Sequence, residues 1–178
     1  INRERCGEKI DTHQLRAVTA MLMDLGVDCY AKDFEEPFLA ATTEFYRAEA
    51  QRFLADSDCA QYLRKSEARL AEEQARVLEY MNPRTVKTAI ARCEEELLTA
   101  PMRQTLSMPG SGLSAMLVGD RVDELKLVYT LFRRVPNGLR SVKEMVFEHV
   151  SGEGKALVTD PEKEKEPGEY VEGLLRMK

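Results

Sequence analysis

The stretch "DFEEPFLAATTEFYRAEAQRFL", residues 33–54, decides the fold, and it holds four of the six phenylalanines in the chain. At about 100° per residue, Phe34, Phe38 and Phe45 fall within a narrow arc of a helix. Thr42, Phe53, Tyr46 and Leu39 widen that arc on one side. Asp33 followed by Glu36 is a capping-box-like start, with Pro37 in the first turn, where a missing N–H costs nothing. Glu49 and Arg52, spaced to pair across one turn, fall on the same arc and mark its second half as the wetter one. Aromatics ordered by a helical period are the signature of a core seam rather than of a loose sticky patch.

Working outward, the same period recurs almost everywhere. Before the stretch, Leu15, Val18, Met21, Leu22 and Leu25 draw one helix face, with Asp11 or Thr12 as the cap and Gly26 as the stop. After it, residues 56–81 carry Cys59, Tyr62, Leu63, Leu70, Val77, Leu78 and Met81 on one side, and a solvated run of Arg and Glu elsewhere. Asn82 and Pro83 open another helix, with Val86, Ile90, Cys93 and Leu97 in register. Pro101 starts or kinks a short helix with Met102 and Leu106, which "MPGSG" (108–112) breaks. Leu113, Met116 and Leu117 form one more short apolar turn.

From Asp120 the pattern restarts with Leu125, Val128, Phe132 and Val135, is stopped by "VPNG" (135–138), and continues through Leu139, Val142, Val146 and Val150. Residues 160–169, "DPEKEKEPGE", read as a polar loop. A last helix is expected from Pro167, carrying Tyr170, Val171, Leu174 and Leu175. No segment alternates with period two, so the expectation is an all-α chain, a helical bundle or an α-solenoid. "LRAVTAMLMDLG" (15–26) and "LKLVYTLFRRVPNG" (125–138) echo each other as apolar helices ended by glycine.

The totals narrow the function classes. The chain has 178 residues, a net charge of −5 and a hydrophobic fraction of 43%. An acidic chain lacks the basic footprint that phosphate contacts need, which argues against nucleic acid as a partner. No apolar run reaches the roughly 18 residues that span a bilayer. Ile1 at one end and an unterminated helical pattern at the other suggest a piece of a longer protein.

The search for chemistry finds little. His13 and His149 are the only histidines and are expected at the surface or its boundary. Cys6, Cys29, Cys59 and Cys93 form no C-x-x-C pair and are expected as free thiols. Cys93 falls on an apolar stripe, which reads as a small core residue rather than a nucleophile. "PGSGLS" (109–114) and "SGEGKAL" (151–157) lack the spacing of a phosphate-binding loop and the strand before it. No catalytic, cofactor-binding or metal-ligating residue is assigned.

Longer blocks carry a resemblance. "ERCGEKID" (4–11), residues 33–54, "YLRKSEARLAEEQARVL" (62–78) and "LFRRVPNGL" (131–139) together resemble the amino-terminal helical region of the cullins. "RVPNGL" (134–139), "GKALV" (154–158) and "EYVEGLL" (169–175) are most similar to the cullin-3 branch. The resemblance implies cullin-repeat helical bundles stacked as an elongated α-solenoid stalk. Residues 1–9 would link from a preceding repeat, 10–118 would form the second repeat, and 119–178 would open the next, truncated.

It also implies a function: a non-catalytic scaffold segment of a ubiquitin ligase. Such a segment would space a BTB-domain adaptor at one end from the RING subunit at the other, where the family's NEDD8-modified lysine also lies. The main contacts with those partners would lie outside this chain. Cytoplasm and nucleus are the implied locations. A helical module binding a partner peptide or helix is the alternative, and a small enzyme with a site between helices is a further one.

Overall fold

The computed structural model describes residues 1–159; the expected polar loop and last helix beyond them lie outside the described residues. The described residues are helical and contain no strand. In chain order they form α1 (Asn2–Arg5), α2 (Thr12–Leu25), α3 (Val27–Tyr30), α4 (Glu36–Asp56), α5 (Cys59–Tyr80), α6 (Pro83–Glu94), α7 (Met102–Leu106), α8 (Leu113–Val118), α9 (Val122–Phe132) and α10 (Gly138–Thr159).

Several caps work as their residue types dictate. Asp11, Asp58 and Asn82 each accept a backbone N–H from the first turn of α2, α5 and α6. Gly26 ends α2 at φ +137°, a backbone region open essentially to glycine. Gly138, after Asn137 at φ +59°, has no room for a side chain, since a Cβ would sit 2.2 Å from the Phe132 carbonyl oxygen.

The start expected at Asp33 is not there. The helix is continuous from Val27 to Asp56, and residues 31–35 form a π-turn inside it, with no side-chain cap. The reason is Pro37. A proline inside a helix clashes with the carbonyl four residues back and cannot bond to it. Here the preceding residue, Glu36, reaches five residues back to the Ala31 carbonyl, which widens the turn. The same device recurs before Pro101, where the Ala100 N–H reaches the Glu95 carbonyl at 2.9 Å after a π-turn at Glu95–Thr99.

The buried stripe of α4 is Phe38, Thr42, Tyr46, Glu49 and Ala50. It is rotated from the phenylalanine arc toward the side of Thr42 and Tyr46. Of the four phenylalanines only Phe38 is buried; Phe34, Phe45 and Phe53 flank the seam, half-buried. Glu49, expected at the wet end, is 1% exposed.

Two apolar clusters result. The larger joins Tyr46, Tyr62, Leu63, Leu70, Leu97 and Leu106 to Met116, Val128, Leu131 and Phe132. The smaller joins Phe38, Val77, Tyr80, Met81 and Ala89, edged by Ile1, Ile10 and Leu15. α2 departs from its expected orientation. It buries Thr19, whose hydroxyl donates to the Tyr80 carbonyl at 3.0 Å, and leaves Val18, Met21 and Leu25 exposed.

Candidate functional site

Between the two apolar clusters lies a polar layer. Thr42 sits one turn from both Phe38 and Tyr46 on α4, and Glu73 lies between Leu70 and Val77 on α5. Into this layer α1 sends Arg5, which is 2% exposed. All four residues of α1, "NRER", are polar, and Arg5 is the one it buries.

Four of the five guanidinium N–H groups find acceptors. Nε donates to Glu73 Oε2 at 3.2 Å, Nη1 to Asn2 Oδ1 at 2.8 Å, and Nη2 to Thr42 Oγ1 at 2.7 Å and to Glu73 Oε1. Its carbon lies 5.5, 5.3 and 5.2 Å from the ring centres of Phe38, Phe45 and Tyr46. Cation–π attraction at this range is worth most where water is excluded. Two of the phenylalanines that opened the sequence reading are therefore walls of an arginine box.

Glu73, fully buried, accepts four hydrogen bonds, one on Oε1 and three on Oε2. Besides Arg5 it accepts from the Tyr46 hydroxyl at 2.7 Å and from Arg76 Nη1 at 2.5 Å. Burial pushes its pKa up, but the hydrogen bond and charge of Arg5, with Tyr46 and Arg76, outweigh that and hold it below its ordinary value. For Arg5 burial pulls downward, and the bond to Glu73 and its charge leave the pKa raised. Burial first, then the charge of Glu73, pushes the Tyr46 phenol up. These shifts keep Arg5 and Glu73 charged and Tyr46 neutral, and the layer joins α1, α4 and α5.

The joint continues at its edges. Glu4 accepts from the Tyr80 hydroxyl at 2.7 Å and pairs with Arg76 at 3.3 Å. Glu49 pairs with Arg69 of α5 at 2.7 Å and with Arg52 at 3.6 Å, so the expected pair exists, but as the weaker of two. A second buried chain runs beside the first π-turn: Tyr30 to Thr85 at 2.7 Å, Thr85 to Glu35 at 2.7 Å, and Arg84 to Glu35 at 3.2 Å.

The histidines and cysteines lie apart from this layer or serve as packing. His13 is exposed and His149 half-buried. The four cysteines are free, Cys6 and Cys29 exposed, Cys59 and Cys93 buried. Burial raises the Cys59 thiol to about 12, and burial with the charge of Glu73 raises Cys93 further. Neither is an activated nucleophile. Among the described residues no group of three or more His, Cys, Asp or Glu could hold a metal. No described helix is long and apolar enough to cross a membrane.

Sequence reasoning missed Arg5 and Glu73. Arg5 lies outside any helical period, and Glu73 is one carboxylate among many on α5. The one available signal was the gap in apolar positions between Leu70 and Val77, matched by Thr42 in α4.

Comparison with known proteins places this geometry in context. Residues 1–178 match the Cullin family model, described as the cullin alpha solenoid domain. The chain is similar to Cullin-3A of Arabidopsis thaliana, 45% identical over 175 residues, which are 98% of this chain and 24% of that protein. It is similar to Cullin-3 of Dictyostelium discoideum, 37% identical over 181 residues, all of this chain and 24% of that protein. With Cullin-4A of Mus musculus it shares 37% identity over 178 residues, all of this chain and 22% of that protein. The chain thus spans about a quarter of the length of these relatives.

Proposed function

The chain belongs to the cullin family, and from that premise we propose that it is a non-catalytic spacer in the scaffold of a cullin–RING ubiquitin ligase. In this reading it holds a BTB-domain adaptor, bound toward one end of the longer protein, at a set distance from the RING subunit at the other. The observation that carries it is the polar layer, in which buried, paired charges tie α1, α4 and α5 together. A spacer needs a fixed shape and no active site.

On the same reading, residues 1–9 lead in from a preceding repeat, 10–118 form the second repeat and 119–178 open the third. The larger cluster carries Val128, Leu131 and Phe132 onto the core of the second repeat, which would make the junction stiff. The protein would work in the cytoplasm and nucleus, where fluorescence of a tagged copy would place it.

Titration of the 178-residue chain with a BTB-domain adaptor tests the spacer reading. Little heat is expected, because the adaptor contact would lie outside these residues. Binding at micromolar affinity or tighter would contradict it.

One observation favours a second reading. Val18, Met21 and Leu25 form an exposed apolar row on α2, and such a row suits a module that packs a partner helix. Capture of one specific helical peptide by this row, lost on Met21→Glu, would favour that reading over the spacer.

A further inference from the structure

We propose that Arg5 is an orientation lock: its insertion into the Glu73–Tyr46–Thr42 socket fixes the direction in which the chain before α2 leaves the bundle. The proposal rests on the spacer reading for its purpose, and on the geometry alone for its content.

α1 has no apolar face to dock with. Its sequence is polar throughout, and Ile1 beside it is only partly buried against the smaller cluster. A greasy contact of that size would let a short helix slide or rotate. What holds it is a planar fork. Arg5 sends hydrogen bonds from three nitrogens to Asn2, Thr42 and both oxygens of Glu73, while three aromatic rings enclose its carbon. A guanidinium bonded at all three nitrogens and walled by three rings has one pose. Apart from Asn2 in α1 itself, its partners come from two helices, Thr42, Phe38, Phe45 and Tyr46 from α4 and Glu73 from α5, so that pose is referred to this pair. Glu4 to Tyr80, and Arg69 to the Arg5 carbonyl at 3.4 Å, hold α1 from its other sides.

Stability alone does not explain such a layer. Replacing a complete buried ion network by apolar residues of similar volume is often neutral or stabilising, and fixed register is the best-attested use of a buried charge. The lock therefore makes a separable demand. An apolar socket should restore the fold without restoring the direction.

Spin labels at Arg3→Cys and Gln61→Cys, both exposed, report that direction as a distance distribution. Cys6→Ser and Cys29→Ser remove the accessible thiols, and Cys59 and Cys93, at 0% exposure, stay unlabelled. The parent should give one narrow peak. Arg5→Met should lose the peak and lower the urea midpoint. The triple variant Arg5→Met/Tyr46→Phe/Glu73→Met empties the socket of its buried charges and leaves Arg76 paired with Glu4 alone; it should recover much of the midpoint lost in Arg5→Met but not the peak. Arg5→Lys keeps the charge without the fork, and should broaden the peak in a chain that still folds.

A narrow, parent-like peak in the triple variant or in Arg5→Lys overturns the proposal, as does a broad distribution in the parent. These distances are measured on the 178-residue chain alone, so their failure would leave the spacer reading, tested by binding and ubiquitin transfer, standing on its own.

Discussion

Arg5 and Glu73 are 68 residues apart in sequence and meet in the interior, both shielded from water, through two hydrogen bonds. The pair makes stability depend on pH in one direction. The folded-state pKa of Glu73 lies below its ordinary 4.5. Its contribution is therefore complete above about 4.5 and is lost as pH falls through the depressed folded value. Urea midpoints should fall as pH drops below about 4.5, and more steeply for the parent than for Glu73→Gln. Equal slopes would show that the pair is not coupled to folding.

Phe38→Ala empties a buried aromatic site at 6% exposure and also opens one wall of the arginine box. It should cost about 3–5 kcal/mol in a denaturant melt. A parent-like midpoint would place Phe38 on the wrong side of α4.

Glu49→Ala is no mild control, because Glu49 is buried and holds Arg69 at 2.7 Å. A loss of about 1.5–3 kcal/mol is expected, the range for hydrogen bonds to a charged group. No measurable loss would return Glu49 to the wet end of the helix.

These two positions show how much of the fold was legible. The longer helices, the caps at Asp11 and Asn82 and the stop at Gly26 followed from periodicity and from backbone chemistry local to a few residues. The facing of α4 did not, because an arc of phenylalanines looks the same whether its centre or its edge is buried. Tyr46 and Thr42 take the centre, where their hydroxyls meet Glu73 and Arg5. Those partners come from distant segments, and no window along the chain contains both. The π-turns were readable in retrospect. Each ends two residues before a proline, and the clash that proline brings is local.

The thiols should divide into two classes. Cys6 and Cys29 should react with an aromatic disulfide reagent at mild alkaline pH, and Cys59 and Cys93 only after denaturation. For Cys59, raised from 9.0 to about 12, the linked stability is complete below 9.0 and is lost as pH rises toward 12. Four fast thiols in the native chain would contradict the burial described.

On α2, Leu25 is 68% exposed. Leu25→Glu should change the chain's own stability by about 0.5 kcal/mol or less. By contrast Leu70→Ala, at a site with no exposure, should cost about 2–5 kcal/mol. A large loss at Leu25 would mean that α2 packs with the opposite face inward.

The central claim is that these helices act as a rigid spacer, and ubiquitin transfer measures that directly. In the longer cullin chain, residues 11–118 would be replaced by a flexible glycine–serine linker, and adaptor binding, RING binding and transfer to an adaptor-held substrate compared with the parent. The spacer account predicts that both binding events survive and transfer is lost. Undiminished transfer through the flexible linker would contradict it.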